Sequence, residues 1–256
     1  MPMDRVPEPG VFVVKGMQIS IPSFQIQLGP DGTVTTGPVL LHTGIDMCPV
    51  WLDISFRHLL RTEEASQEMV RARDENNNEL IGQNLIAEST EGMQSIMASS
   101  VAMDAYYATI KDCVQLPDSL AHLWRINGTA RYKQIGEVLR RAFALPPRSA
   151  RLLRDALREC ASFRDRAVHP RAGTSQPALH PELNKITDWR FAAFRLYNAK
   201  AILGITFSAI VQTARKGLNT GLPPLKECCT GLLGRLTPLI SEWEGRYGTL
   251  VPYKVE

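Results

Sequence analysis

The sequence predicts a mainly α protein in which a small antiparallel β segment precedes a bundle of about five helices. Apolar and polar residues alternate within the first fifty residues, and this alternation is the period of a half-buried strand. From about residue 55 onward apolar residues recur at helical spacing, and prolines or glycines stand where that spacing stops. We therefore expect a β hairpin or meander over residues 1–54, packed on a helical domain over residues 55–256.

The β segment contains strand patterns at residues 18–21 and 24–28, followed by the turn sequence Gly-Pro-Asp-Gly at residues 29–32. Another apolar stretch follows at residues 33–41. Pro22 and Pro38 interrupt these strands, so we expect edge strands or strands with bulges. A sheet this small needs a neighbour for stability.

The helical part divides at its breaking residues. A first helix is predicted from Thr62 towards Arg73, and residues 80–114 allow either one long helix or two helices joined near Gly92. Ser149 is placed to cap a helix that Pro170 stops. The remaining helices are predicted at residues 131–144, 189–215 and 225–244.

Composition excludes several classes of protein. With 256 residues, of which 44% are hydrophobic and 21% charged, the chain is neither disordered nor collagen-like nor a coiled coil. The longest apolar run without a charge, residues 201–211, is shorter than the roughly 20 residues of a membrane span. No glycine-rich phosphate loop and no Gly-x-Ser-x-Gly segment occurs, which excludes the ATPases, dinucleotide enzymes and hydrolases that carry those motifs.

Cysteine usage and the amino terminus favour a reducing cytoplasm. Five cysteines without regular spacing do not form a disulfide framework, and the first residues lack the apolar region of a secretion signal. Cys228 and Cys229 are adjacent, which fits two small core residues better than a strained disulfide or a metal contact. The sequence predicts no cofactor or metal ion, and the isolated histidines His42, His58, His122 and His180 are expected to be structural.

The net charge of +3 conceals a basic segment. Residues 131–171 contain eleven basic and four acidic residues, so this segment carries +7 and the remainder of the chain is acidic. Ten of the eleven are arginines, whose guanidinium suits bidentate contact with phosphate. Two interpretations are open: a solvated face of two helices, or a surface that binds nucleic acid.

The helix predicted after Ser149 ends in FRDRAVHP. Arg164 continues an apolar stripe at helical spacing, so its guanidinium is directed towards the buried face. There it needs a partner: an acidic side chain, the carbonyls of a second subunit or a bound phosphate. His169 precedes Pro170 at the helix end, where unpaired carbonyls favour an imidazolium. Charge stabilisation by arginine and proton transfer by histidine suffice for metal-independent RNA cleavage, whereas an ion-paired Arg164 and a capping His169 are the structural alternative.

This segment resembles the signature of HEPN domains. In that signature an arginine is followed by a polar residue, here Asp165, and after four to six intervening residues by a histidine, at the end of a helix in an all-α bundle. The resemblance covers roughly residues 80–244 and includes an acidic residue on the preceding long helix, here Asp104. It does not extend to the β segment. One toxin branch of the family has a tyrosine where Arg171 stands here.

The resemblance implies a homodimer in which two motif helices face each other, so that two copies of Arg164 and His169 line one cleft. His169 would be the general acid or base, Arg164 the phosphate contact, and Asp165 the residue that orients them, with Asp104 in the same site. RNA would be the partner, contacted also by the basic residues Arg154, Arg158, Arg166 and Arg171.

Active members of the family are endoribonucleases of toxin, antiphage or RNA-processing systems, and a neutralising partner protein is then expected. Other members are inactive and serve as RNA-binding or dimerisation modules. The resemblance therefore implies a metal-independent endoribonuclease, with an inactive module as the alternative.

Overall fold

A computed structural model describes residues 11–14, 16–37, 39–168 and 176–250. The predicted mainly α fold is confirmed, because helices occupy most of the described chain. The chain divides into two compact units, residues 1–46 and residues 47–256. This division lies eight residues before the predicted boundary at residue 54, which falls inside the first helix; the packing of the β segment on the helices stays a prediction.

The amino-terminal unit consists of two antiparallel pairs of short strands, one nested inside the other in sequence. Strand β1 (Met17–Ser20) pairs with β4 (His42–Ile45), and β2 (Ile26–Leu28) pairs with β3 (Val34–Thr36). The predicted turn between β2 and β3 is present. Asp31 accepts hydrogen bonds from the backbone and hydroxyl of Thr33, and Gly32 has a φ of 80°, which glycine adopts without strain.

The second unit begins with two long helices, α1 (Met47–Asp74) and α2 (Asn78–Asp112). The other helices are α3 (Asp118–Ile126), α4 (Arg131–Ala142), α5 (Pro147–Val168), α6 (Trp189–Ala193), α7 (Leu196–Gly217) and α8 (Pro223–Tyr247), with a hairpin of β5 (Ala178–His180) and β6 (Lys185–Thr187) between α5 and α6.

Several boundaries differ from the prediction for physical reasons. Helix α1 starts earlier than expected because Pro49 lies in its first turn, where a missing N–H costs nothing. For the same reason α5 begins at Pro147, and the cap predicted at Ser149 is wrong because Ser149 lies buried inside that helix. Helix α3 was not predicted; it is nine residues long and contains no buried residue.

A large hydrophobic core joins these helices, and a second, smaller cluster contains Met69, Ala72, Ile81 and Leu183. Helix α2 packs along α1 and also contacts α4, α5, α6, α7 and α8. Large core side chains come from several helices and include Phe56, Ile96, Tyr106, Phe207 and Trp243. At the seam between α1 and α2, Ser55 donates a 2.8 Å hydrogen bond to the carbonyl of Ser95, and its hydroxyl lies 2.8 Å from that of Ser99. Among the described helices, none has the length and apolar character to cross a membrane.

Gly92 does not divide α2, which is one continuous helix. A Cβ atom at this position would overlap the carbonyl oxygen of Phe194, which follows directly after α6. Gly92 therefore allows the backbone of the α6–α7 junction to lie directly on α2. The helix predicted at residues 189–215 is broken at this same junction.

We predict that Gly92→Ala lowers the free energy of unfolding by about 3 kcal/mol, since the new methyl group meets backbone that cannot rotate away. Gly82→Ala in the same helix is the control: its Cβ would meet no atom within 4 Å, and alanine should raise helix stability by about 0.8 kcal/mol. Urea unfolding followed by circular dichroism measures both, and equal stability of Gly92→Ala and the parent chain would contradict the packing.

Candidate functional site

Helix α5 presents Arg164 at the end of its buried stripe. Leu153, Leu157 and Cys160 are buried along one side of the helix, and Arg164 follows Cys160 by one turn on that side. Its side chain is 31% exposed, so the guanidinium lies where the core meets solvent. The pattern of the sequence had indicated this position.

Two carboxylates hold the guanidinium of Arg164. Its Nε and Nη2 donate to Oδ1 of the adjacent Asp165 at 3.2 and 2.9 Å. Its Nη1 lies 3.8 Å from Oδ2 of Asp104 on α2, which is an ion pair without a hydrogen bond. Among the three partners that the sequence left open, the described residues thus supply acidic side chains. The Nη1 donors remain unused by the described part of the chain.

Arg131, at the start of α4, joins this site and was missed in the sequence. Its Nε donates to Oδ1 of Asp104 at 2.7 Å, and its guanidinium lies 4.1 Å from the ring centre of Tyr107. Asp104 and Tyr107 are three residues apart on α2 and share a face. Asp104 therefore stands between two guanidinium groups, one from α4 and one from α5. The spacing of Asp104 and Tyr107 on α2 is the only local signal for this site in the sequence, and it does not indicate that Arg131 is their partner.

The pair of guanidiniums has the chemistry of a phosphate site. Arg131 and Arg164 converge on one carboxylate from two helices, and both side chains reach solvent. A phosphate oxygen that approached them would meet donors on both, because each guanidinium has five N–H groups and uses only some of them here. We call Asp104, Tyr107, Arg131, Arg164 and Asp165 the arginine site.

The other predicted RNA contacts lie elsewhere on α5. Arg154 and Arg158 are exposed and precede Arg164 by ten and six residues. Nη2 of Arg158 lies 3.6 Å from Asp155, whereas Arg154 has no ion pair with any residue that the structure describes. Arg166 is exposed, with its guanidinium 5.4 Å from the ring of Phe163. His169 and Arg171 lie outside the described residues; Val168 is the last residue of α5.

The carboxyl end of α4 contains two adjacent arginines, and a glutamate on the same helix offsets part of their positive charge. Glu137 accepts hydrogen bonds from Arg140 at 2.8 Å and from Arg141 at 2.6 Å. Hydrogen bonding to Arg140 is the main reason that the pKa of Glu137 falls to about 2. These two arginines are therefore less available to an anion than Arg151 or Arg154, and the +7 of the segment overstates its binding capacity.

A second polar cluster, which the sequence analysis did not detect, surrounds His180. Its side chain is 0% exposed, with Nε2 3.6 Å from Glu88 and Nδ1 3.3 Å from Glu182. Glu182 also accepts a 2.6 Å hydrogen bond from Arg195, and Glu88 accepts one of 3.0 Å from the backbone N–H of Leu196 at the start of α7. The cluster joins the β5–β6 hairpin to α2 and α7. No local signal could reveal it, because Glu88 and His180 are far apart in sequence.

Neither cluster has the arrangement of a metal centre. Within the described ranges, no three histidine, cysteine or carboxylate side chains are grouped as metal ligands. The five cysteines form no disulfide in the described structure. Burial raises the pKa of Cys229 to about 11, so its thiol is unreactive at neutral pH. Cys229 is a core residue, packed against Gly217.

Comparison with known proteins returned no match to this chain among protein-family models, curated proteins or solved structures. The arginine site and the motif at the end of α5 are therefore the observations from which function is inferred.

We predict that Glu88→Ala lowers the free energy of unfolding by about 3 kcal/mol, because it leaves the α7 amino terminus uncapped and His180 without its carboxylate on that side. Exposed Glu64 on α1 is the control, and Glu64→Ala should change stability by less than about 0.5 kcal/mol. Denaturant unfolding provides the measurement, and equal stabilities of the two variants would show that the cluster contributes nothing.

Proposed function

We propose that this protein is a metal-independent endoribonuclease of the HEPN type. The observation that carries the proposal is the arrangement of Arg164 beside Asp104 at the edge of the core, where Nη1 forms an ion pair at 3.8 Å but no hydrogen bond with the described residues. These two residues come from different helices, and His169 follows five positions after Arg164 in the sequence. An arginine site at the end of a basic helix supports a substrate that carries phosphates.

In the proposed reaction the ribose 2′-hydroxyl attacks the adjacent phosphorus. The bond from the 2′-oxygen to phosphorus forms while the bond from phosphorus to the 5′-oxygen breaks, which yields a 2′,3′-cyclic phosphate and a 5′-hydroxyl. His169 takes the proton from the 2′-hydroxyl or gives one to the leaving 5′-oxygen. Arg164, with Arg131 beside it, stabilises the negative charge on the pentacoordinate phosphorane.

Two proton transfers are needed in one turnover, and a homodimer supplies a histidine for each. The proposal therefore includes pairing of two chains through their α5 helices, so that one cleft contains both copies of Arg164 and His169. An active nuclease of this kind must be restrained in the cell. A toxin, antiphage or RNA-processing role, with a neutralising partner protein, is part of the proposal.

The second candidate is an inactive HEPN-like module that binds RNA or dimerises. One observation favours it: Arg164 already has two acidic partners, Asp104 and Asp165. The arginine site is thus neutral without a ligand, as a purely structural ion-pair network would be. RNA cleavage separates the two candidates.

We predict that the purified chain cleaves a labelled single-stranded or structured RNA in the presence of EDTA and leaves a 2′,3′-cyclic phosphate. Arg164→Ala and His169→Ala should each lower kcat by about 100-fold or more, because each removes a group that acts on the reacting phosphate. His122→Ala and Arg215→Ala, which alter exposed residues on other helices, should cleave as the parent does.

Circular dichroism of each variant verifies the fold. Undiminished cleavage by folded His169→Ala would eliminate the endoribonuclease. An RNA affinity that decreases with salt, without any cyclic phosphate product, would establish the binding module instead.

Asp104→Asn tests whether that carboxylate positions the two arginines. We expect kcat to fall about tenfold, since the guanidiniums lose their shared anchor, while RNA affinity stays equal or increases because a competing negative charge is gone. Asp155→Asn is the control, because Asp155 pairs with Arg158 on the solvent face of α5. Steady-state kinetics separate kcat from KM, and a rise in KM at constant kcat would exclude the positioning role.

A further inference from the structure

The amino-terminal unit exposes an unusual amount of apolar surface. Fourteen large apolar residues are exposed between residues 11 and 46, and none of the described residues in that range is buried. The exposed residues are Val11, Phe12, Val13, Val14, Ile19, Ile21, Phe24, Ile26, Leu28, Val34, Val39, Leu40, Leu41 and Ile45. Isolated exposed apolar residues need no explanation, but a contiguous set marks an interaction surface.

The strand registers place apolar side chains on one face of each pair. In the β1–β4 pair, Met17 lies opposite Ile45 and Ile19 lies opposite Thr43, so these four share a face. The opposite face carries Gln18, Gly44, Ser20 and His42. The β1–β4 pair is therefore amphipathic.

The β2–β3 pair repeats this division. Ile26 lies opposite Thr36 and Leu28 lies opposite Val34, whereas Gln27 and Thr35 occupy the other face. Leu28 and Val34 are 76% and 61% exposed. We call the faces that bear Met17, Ile19, Ile45, Ile26, Leu28 and Val34 the apolar ribbon.

The exposed area of the apolar ribbon reaches the lower end of the range of protein interfaces. Five of the fourteen residues lie on the ribbon: Ile19, Ile26, Leu28, Val34 and Ile45. At roughly 100 Å² for each, two copies would bury on the order of 1,000 Å² together. A two-stranded pair is at best marginally stable in water unless something covers it. A partner that covers the apolar ribbon would therefore stabilise the unit as well.

The charges of the segment identify the kind of partner. Asp31 is the single charged residue between positions 16 and 45. Binding to RNA or to an anionic membrane surface requires clustered lysines and arginines, and the segment has none. The ribbon thus fits an uncharged apolar surface. The apolar ribbon of a second copy of this chain is such a surface. Two copies related by a two-fold axis would bring no like charges into contact, because both faces of the strands are uncharged.

We propose that residues 16–45 are a self-association element in which the apolar ribbons of two copies of this chain pack face to face. Packed at the usual spacing of about 10 Å between sheets, the two copies form a small β sandwich. This contact is distinct from any pairing through α5 and does not depend on ribonuclease activity.

The test measures the mass of the full chain by sedimentation velocity over a concentration series. Ile19→Lys/Ile26→Lys places one charge on the apolar ribbon in each strand pair. It should weaken self-association at least tenfold while the helical bundle unfolds as before, because neither side chain is buried. Gln18→Lys/Gln27→Lys is the matched control: it adds the same charges to the same strands on the opposite face and should leave association intact.

Hydrogen exchange gives a second measurement. Backbone amides of β1 and β2 should gain protection as the concentration of the parent chain rises, but not in the Ile19→Lys/Ile26→Lys variant. The proposal is overturned if the parent chain is monomeric, if the ribbon variant keeps the mass of the parent, or if both double variants dissociate equally. A dimer held only by α5 gives the second of these results, and RNA cleavage is not a readout in any of them.

Discussion

The close packing of α2 against the α6–α7 junction is the constraint on which the rest of the helical unit depends. Gly92 admits the carbonyl of Phe194, and one turn earlier Glu88 caps α7. Because both contacts involve backbone, neither can be replaced by repacking of side chains. Further along the same helix Tyr106 lies within hydrogen-bond distance of Thr213 on α7, at 2.8 Å. Helix α2 is thereby fixed at points on both sides of Asp104.

Rigid placement of α2 matters because Asp104 is the residue that brings the two arginines together. Gly92 and Asp104 are twelve residues apart in one helix, which is about 18 Å along the axis. The ion pairs of Arg131 and Arg164 are partly exposed, and such pairs contribute little to stability, about 1 kcal/mol or less. The main consequence of these ion pairs is that they orient the two guanidinium groups. The cluster around His180 is the opposite case, since it is buried, where interactions between charges are screened much less than at the surface.

The sequence predicted what depends on local periodicity. The buried stripe of α5 and the position of Arg164 follow from spacing within one helix. The turn at Gly32 follows from its own local sequence, Gly-Pro-Asp-Gly. Contacts between distant segments could not be predicted in this way. Arg131 and Asp104 come together because α4 packs on α2, and the break between α6 and α7 at Phe194 depends on an absent side chain at Gly92. The start of α1 at Met47 was not predicted, although a proline in the first turn, here Pro49, is compatible with a helix.

The two groups of arginines on α5 have different positions and so different consequences for a bound RNA. Arg164 is half-buried beside Asp104, whereas Arg154 and Arg158 are exposed and precede it by ten and six residues, which is about 15 and 9 Å along the helix axis. Under the proposed function, the exposed arginines would bind parts of the RNA away from the scissile phosphate, where their effect is on affinity and its dependence on salt. Arg164 would act at the phosphorus, where its effect is on the rate. Affinity and rate would then be separable properties of one helix.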